Sequence, residues 1–270
     1  MNVAIMQPPY PKAGEALKVL EWQINELKNL RPGEDDLVIF PENANCTGYT
    51  DLNDMVSLIK GPGQIFVEEL KKNARRAGCT IMSGVLNFGE DGVLRNQLTV
   101  FTPEGETFSP YTKVHLVEPE LAKGIEPGTA PVAFEYKGIR FGASICFDHY
   151  FPELFVQYAK QRIDLLVMVS HQRQERPEIL EFTTRARAFD TGCTVLRSAP
   201  AMPDSSIGGK SMAVSPEGKV IADAGGTPGV LHCQIDPKAR FTRAASYGEP
   251  EKIIDYREAL LLSRSHVDKE

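Results

Sequence analysis

The chain of 270 residues contains no apolar run long enough to span a bilayer, and its opening segment lacks the basic start and apolar stretch of a secretion signal. Basic residues never cluster beyond pairs such as Lys71-Lys72 and Arg75-Arg76, and the net charge is −6. No membrane or nucleic-acid surface is therefore expected. The cysteines, at 46, 79, 146, 193 and 233, are odd in number and widely scattered. This argues against a disulfide framework and for a reducing cytoplasm. The histidines show no ligand spacing with one another or with the cysteines, so no metal centre is expected. Gly209-Lys210-Ser211 lacks the earlier glycine of a phosphate-binding loop, because Asp204 stands in its place.

What is present reads as an α/β chain with no composition break or linker. Strands are expected at Asn2–Gln7, Asp36–Phe40, Thr80–Phe88, Val93–Thr102 and Thr107–Leu116. Amphipathic helices are expected at Ala13–Leu30 and Gln64–Ala77, the second capped by Gly78. Val132–Tyr136 and Ile139–Cys146 suggest a hairpin around Lys137-Gly138. The second half echoes the first, with helices at Pro152–Gln161 and Pro177–Asp190 and strands at Leu165–Ser170 and Thr194–Ala199. Strands at Ser211–Ser215, Lys219–Asp223 and Val230–Asp236 follow. The pattern predicts one domain over residues 1–236, with two sheets and outer helices. A charged C-terminal arm over 237–270, helical at Tyr256–Leu262, packs on a partner subunit or remains a surface tail.

Three places suggest chemistry. Cys146 ends a buried strand just before a helix, where a thiol projects from the sheet and free N–H groups can receive an oxyanion. A small buried thiol is the plainer alternative. Glu42 follows the strand ending in Phe40-Pro41, at the carboxyl edge where α/β proteins build sites; it equally suits a salt-bridged or capping acid. Lys113 sits in an otherwise apolar strand and either snorkels from an edge or faces inward beside a carboxylate.

Together, Phe40-Pro41-Glu42, Lys113 to Leu116 and Ile145-Cys146-Phe147-Asp148 resemble the nitrilase superfamily, the carbon–nitrogen hydrolases, in order and separation. Pro127-Gly128, the Arg185 to Ala188 helix, Gly208 to Met212 and Ser215 to Gly218 extend the likeness over roughly residues 1–236. The resemblance implies an αββα sandwich and a Glu-Lys-Cys triad at Glu42, Lys113 and Cys146. It also implies a second glutamate, best matched by Glu120, with Glu118 competing. It implies an amidase that needs no cofactor, acts on a small amide through a thioester, and forms a homo-oligomer. Phe147 would offer its N–H to the oxyanion.

One departure bears on substrate. Many relatives carry an arginine four residues after the nucleophile, and some carry two adjacent arginines, whereas this chain has His149 and Tyr150. The usual bidentate carboxylate clamp is therefore missing. His171, Arg173 and Arg176 follow the strand ending at Ser170 and offer a substitute charge or a solvated loop. Tyr49 is a pocket or core aromatic, and Asp148 is expected to stabilise its turn. Ser144 nearly completes a serine nucleophile elbow, but Cys146 stands where its last glycine belongs. A nitrilase proper, a carbamoyl hydrolase, an acyl transferase and a non-catalytic subunit that kept the fold are the alternatives.

Overall fold

The structure is a computed structural model that describes residues 1–241. Its first half runs β1 (Asn2–Gln7), α1 (Ala16–Asn29), β2 (Leu37–Phe40), α2 (Leu52–Lys60), α3 (Pro62–Ala77), β3 (Thr80–Phe88), β4 (Leu94–Phe101), β5 (Thr107–Thr112) and the short α4 (Glu118–Leu121). The second half runs β6 (Phe134–Tyr136), β7 (Ile139–Ile145), a 3₁₀ turn (Cys146–Tyr150), α5 (Pro152–Lys160), β8 (Leu165–Val169), α6 (Pro177–Thr191), β9 (Thr194–Ser198), β10 (Met212–Val214), β11 (Val220–Asp223) and β12 (Gly229–Gln234).

These strands form two six-stranded mixed sheets, ordered β12-β1-β2-β3-β4-β5 and β11-β10-β9-β8-β7-β6. Each contains a parallel trio, β1-β2-β3 in one and β7-β8-β9 in the other. Strand alternation decides the layering. Val3 and Ile5 of β1, with Leu37 and Ile39 of β2, join the core shared with Ile145, Val167 and Val169 of the second sheet. Their neighbours Ala4, Met6, Val38 and Phe40 turn outward onto Leu20 and Leu27 of α1 and Phe66 and Leu70 of α3. Apolar residues on both faces are what a sheet buried on both sides requires. Phe155 and Tyr158 of α5 close the far side, where the Tyr158 hydroxyl donates to the Ala143 carbonyl at 2.6 Å. The result is the αββα sandwich that the sequence suggests.

Several element boundaries differ from expectation. α1 starts at Ala16 because Gly14, at φ 80°, donates its N–H to the Gly48 carbonyl and forms a turn there. α2 was not expected; its Asp51 cap accepts from the Asp54 N–H, and Met55, Leu58 and Ile59 form its buried face. β6 is shorter than expected, since the Ala133 N–H goes to the Gln161 side chain. β5 stops at Thr112, so Lys113 lies just beyond the strand and not within it. The expected helix at Tyr256–Leu262 and most of the arm lie outside the described residues.

Candidate active site

Three strand ends and one strand edge supply the site. Glu42 leaves the end of β2, and its turn is clamped to β3: Ala44 N–H donates to Gly84 O at 2.9 Å and Gly84 N–H donates to Pro41 O at 3.1 Å. Gly84 allows this approach, because a Cβ there would lie 2.4 Å from the Glu42 Cα. Lys113 is fixed through its backbone, with N–H donating to Asn96 O at 2.9 Å and its carbonyl accepting from Gly128 at 2.7 Å. This explains the Pro127-Gly128 segment, since a Cβ at Gly128 would sit 2.3 Å from Thr112 O.

Lys113 and Glu42 are 1% and 2% exposed, so their charges must answer one another. The Lys113 ammonium donates to Glu42 Oε1 at 2.9 Å and to both Glu120 oxygens at 2.8 Å. Asn96 of β4 bridges the same carboxylates, at 2.8 Å to Glu42 and 3.1 Å to Glu120. Sequence reasoning missed Asn96, which lies between the polar residues Arg95 and Gln97 of β4 and so carries no distinguishing signal. Glu120 also folds back to accept from the Val117 N–H at 3.0 Å, while Glu118 is exposed. Geometry thus brings Glu120, and not Glu118, onto Lys113. Burial opposes the Lys113 charge, yet Glu42, Cys146 and Glu120 hold its pKa above that of an ordinary lysine.

Cys146 has a φ of 49°, an unusual backbone for a residue with a side chain, at the point where β7 enters the 3₁₀ turn. Burial, then the Glu42 carboxylate, pushes its thiol up to about 12. Lys113 and the backbone N–H of His171 act in the opposite direction. Glu42 spends Oε1 on Lys113 and Asn96, whereas its buried Oε2 has no hydrogen-bond partner.

Asp148 ties this turn to the lysine segment. Fully buried, it accepts from Ile145 N–H at 3.0 Å, Tyr111 OH at 2.7 Å and His115 N–H at 2.8 Å, and its Oδ1 lies 2.9 Å from His115 Nδ1. Asp148 therefore stabilises its own turn, as expected, and also links it to the segment carrying Lys113. Arg187 of α6 secures the other side, donating to His149 O at 2.9 Å with its guanidinium 4.8 Å from the Phe155 ring centre.

The remaining expected residues are distributed unevenly. Phe147 is half-buried and packs against Tyr150 and Phe151. Tyr150 is exposed and donates to Glu175 at 2.8 Å. His149 is fully buried, with Nδ1 3.3 Å from Gln172 Oε1, so its ring is an internal support under the turn. His171 lies edge-on to Tyr10 and 3.5 Å from the Thr47 hydroxyl. Burial lowers both imidazoles, helped by Arg173 to about 3 at His171 and by Arg197 to about 3 at His149. Arg173 donates to Tyr10 OH at 2.7 Å, while Lys123 Nζ stands 5.8 Å from the Tyr49 ring centre. Arg176 caps α6 through its backbone and is exposed. Ser144 is buried and does not present its hydroxyl to solvent. Among the described residues no group of three or more His, Cys, Asp or Glu could hold a metal ion, and no helix is long and apolar enough to cross a membrane.

Two facing sheets under paired helices, with a buried Glu-Lys-Glu cluster beside a cysteine at a strand end, define a thiol-containing α/β sandwich of hydrolase type. The carbon-nitrogen hydrolase family model matches residues 2–244, and the chain belongs to that family. It is an amidase-like hydrolase of the nitrilase superfamily. The chain is 26% identical over 234 residues to the 2-oxoglutaramate amidase of Bacillus subtilis, covering 84% of this chain and 86% of the relative. It is 31% identical over 189 residues to an omega-amidase of Xenopus tropicalis, covering 66% and 68%. In fold it is similar to an amidase from Nesterenkonia sp. AN1, whose active-site cysteine carries the acetamide moiety of fluoroacetamide, with a TM-score of 0.74, 19% identity and coverage of 88% and 90%.

Proposed function

We propose that this chain hydrolyses a small linear amide through a thioester on Cys146, releasing ammonia or an amine. The observation that carries the proposal is the division of labour within Glu42. One buried oxygen is fixed by Lys113 and Asn96, the other is not engaged by either of them, and the carboxylate acts directly on a thiol too basic to ionise alone. Such a thiol needs a general base. Glu42 takes the Cys146 proton as sulfur bonds to the amide carbon, and the carbonyl π electrons move onto oxygen. The Lys113 ammonium and the Phe147 N–H receive that oxyanion, an arrangement in which each donor contributes about 3–4 kcal/mol. Collapse breaks the C–N bond, and Glu42 returns the proton to the departing nitrogen. Glu42 then deprotonates a water that attacks the thioester, and the sulfur leaves as the thiol. Glu120 orients Lys113 and the substrate nitrogen.

Tyr49, Phe147, Tyr150, His171 and Arg173 are assigned to the substrate wall, and His149 to its support. Tyr150 occupies the position that holds an arginine in many relatives, so a negatively charged acyl group of the kind named for the omega-amidase relatives would have to use Arg173. The five cysteines, none of them in a disulfide among the described residues, fit a cytoplasmic setting, and a homo-oligomer built in part on the C-terminal arm (237–270) is included in the proposal.

The test is intact-protein mass spectrometry after brief exposure to uncharged amides, 2-oxoglutaramate, carbamoyl compounds and nitriles, with ammonia assayed in parallel. An adduct mapped to Cys146 with ammonia release is expected, and Cys146→Ala should show neither. Full turnover by Cys146→Ala would refute the proposal.

A further inference from the structure

The second sheet buries a cation that the mechanism above does not use. Arg197 of β9 is 1% exposed, and its three hydrogen bonds all go to neutral oxygens. Nη1 donates to Gly209 O at 2.6 Å and Lys210 O at 2.7 Å, and Nη2 donates to Gln172 Oε1 at 3.2 Å. A guanidinium enclosed by uncharged acceptors loses much of its hydration without a hydrogen-bonded counter-ion in return. A sandwich core would be served as well by an apolar side chain there. Its neighbours suggest why the charge is present.

Gln172 Oε1 is a junction. It accepts from Ser170 Oγ at 2.8 Å and lies 3.3 Å from His149 Nδ1, in addition to its bond from Arg197. It thereby joins β9, the loop after β8 and the 3₁₀ turn that begins at Cys146. Between Ser170 and Gln172 stands His171, whose backbone N–H acts to lower the pKa of the Cys146 thiol, against the rise that burial imposes. We infer that Arg197 is a positioning residue for the nucleophile, acting through Gln172 to fix the turn that carries Cys146 and His149 against the loop that carries His171. A second effect has the same sign, since a buried positive charge favours anionic sulfur. Glu42 and Lys113 from the first sheet, Tyr150 from the turn and Arg173 from the loop also face that sulfur. Asp223 of β11 and Tyr150 face Arg197. Burial lowers Arg197 only to about 10, so it stays charged at neutral pH.

The inference rests on Cys146 being the nucleophile, so its test reads the thiol directly and not turnover alone. Iodoacetamide alkylation of each cysteine would be followed by peptide mapping from pH 7 to 10 in the full chain. Arg197→Met should slow Cys146 roughly tenfold at each pH, the size of a hydrogen bond lost from a charged group. Cys233, on β12, provides an unchanged internal control. Arg197→Lys, which keeps the charge, should recover part of the loss. With a substrate in hand, kcat should fall while KM changes little. If Arg197→Met does not fold, Gln172→Met decides alone, because it cuts the junction and leaves Arg197 on its two carbonyls. Wild-type Cys146 rates in the folded variant would overturn the role of Arg197 and leave the amidase proposal intact. A wild-type Cys146 no more reactive than the other four thiols would overturn both.

Discussion

Replacing Lys113 with methionine tests whether the buried charge cluster is as interdependent as its geometry implies. The substitution keeps the length of the side chain and removes three hydrogen bonds of 2.8–2.9 Å to two carboxylates. Glu42 and Glu120 would then share only Asn96, which has a single amide nitrogen to divide between them. Breaking a buried ion pair from one side costs about 3–5 kcal/mol. Glu120 retains some solvent, with 12% of its side chain exposed, which places the expected loss near the lower end. The deficit has a predictable pH dependence. Two carboxylates without their cation cannot both ionise cheaply, so the folded variant holds a proton that the unfolded chain releases. A pKa raised in the folded state gives stability that is present at low pH and lost as pH rises. The deficit should therefore be larger at pH 8 than at pH 5, by up to about 1.4 kcal/mol per pH unit for one proton. Urea unfolding of wild type and variant at both pH values measures it. Adding Glu42→Gln to Lys113→Met should restore part of the stability, since it removes one of the opposing charges. A loss below about 1 kcal/mol at pH 8, or a loss equal at both pH values, would refute the argument.

Two further outcomes follow from the same geometry. Gly84→Ala places a methyl group 2.4 Å from the Glu42 Cα and 2.8 Å from the Pro41 oxygen, both backbone atoms that cannot swing away; we expect about 1–3 kcal/mol of destabilisation and a fall in kcat in the fraction that folds, and wild-type kcat at an unchanged melting temperature would contradict it. His149, fully buried, and His171, half-buried, are both held at about 3 against an ordinary 6.5, so their neutral forms stabilise the fold above pH 6.5 and that contribution drains away as pH falls toward 3. Comparing urea midpoints at pH 7 and pH 5 should show a steeper acid loss for wild type than for His149→Gln, and parallel losses would remove His149 from the account.

The candidate site segments were legible because each one sits at a break in pattern: an acid after Phe40-Pro41, a lysine within an expected strand, a cysteine before a helix. Several strands around them were legible for a related reason, since buried parallel strands read as unbroken apolar runs. What stayed hidden depends on partners distant in sequence. β5 looked continuous to Leu116, but Asp148, 33 residues from His115, takes the His115 N–H, and Gly128 takes the Lys113 carbonyl. The groups a longer strand would need are already bound. Asn96, Gln172 and Arg197 read as ordinary polar residues until the fold gathers them around Glu42 and Cys146. The signal for α2 was available, in an Asp51 cap followed by apolar residues at 55, 58 and 59.

The location of the groups also explains why the chain keeps so large a core beneath a small site. Glu42, Asn96 and Lys113 come from the first sheet and its edge; Cys146, His171, Gln172 and Arg197 come from the second. In the proposed mechanism base and nucleophile are therefore on opposite slabs, and their separation is set by the side chains packed between those slabs. Ile39 and Met82 face Ile145 and Val169 within that shared core, directly under the strand ends that carry the chemistry. Such interiors are packed at crystal-like density and do not yield freely to a change of volume. Asp148 adds a polar cross-link at the same level, joining the cysteine turn to Tyr111 and His115 on the lysine side. The proton transfer proposed from sulfur to carboxylate would need the two slabs held to within a fraction of an ångström. Neither sheet could provide that alignment alone, because each carries only half of the reacting groups.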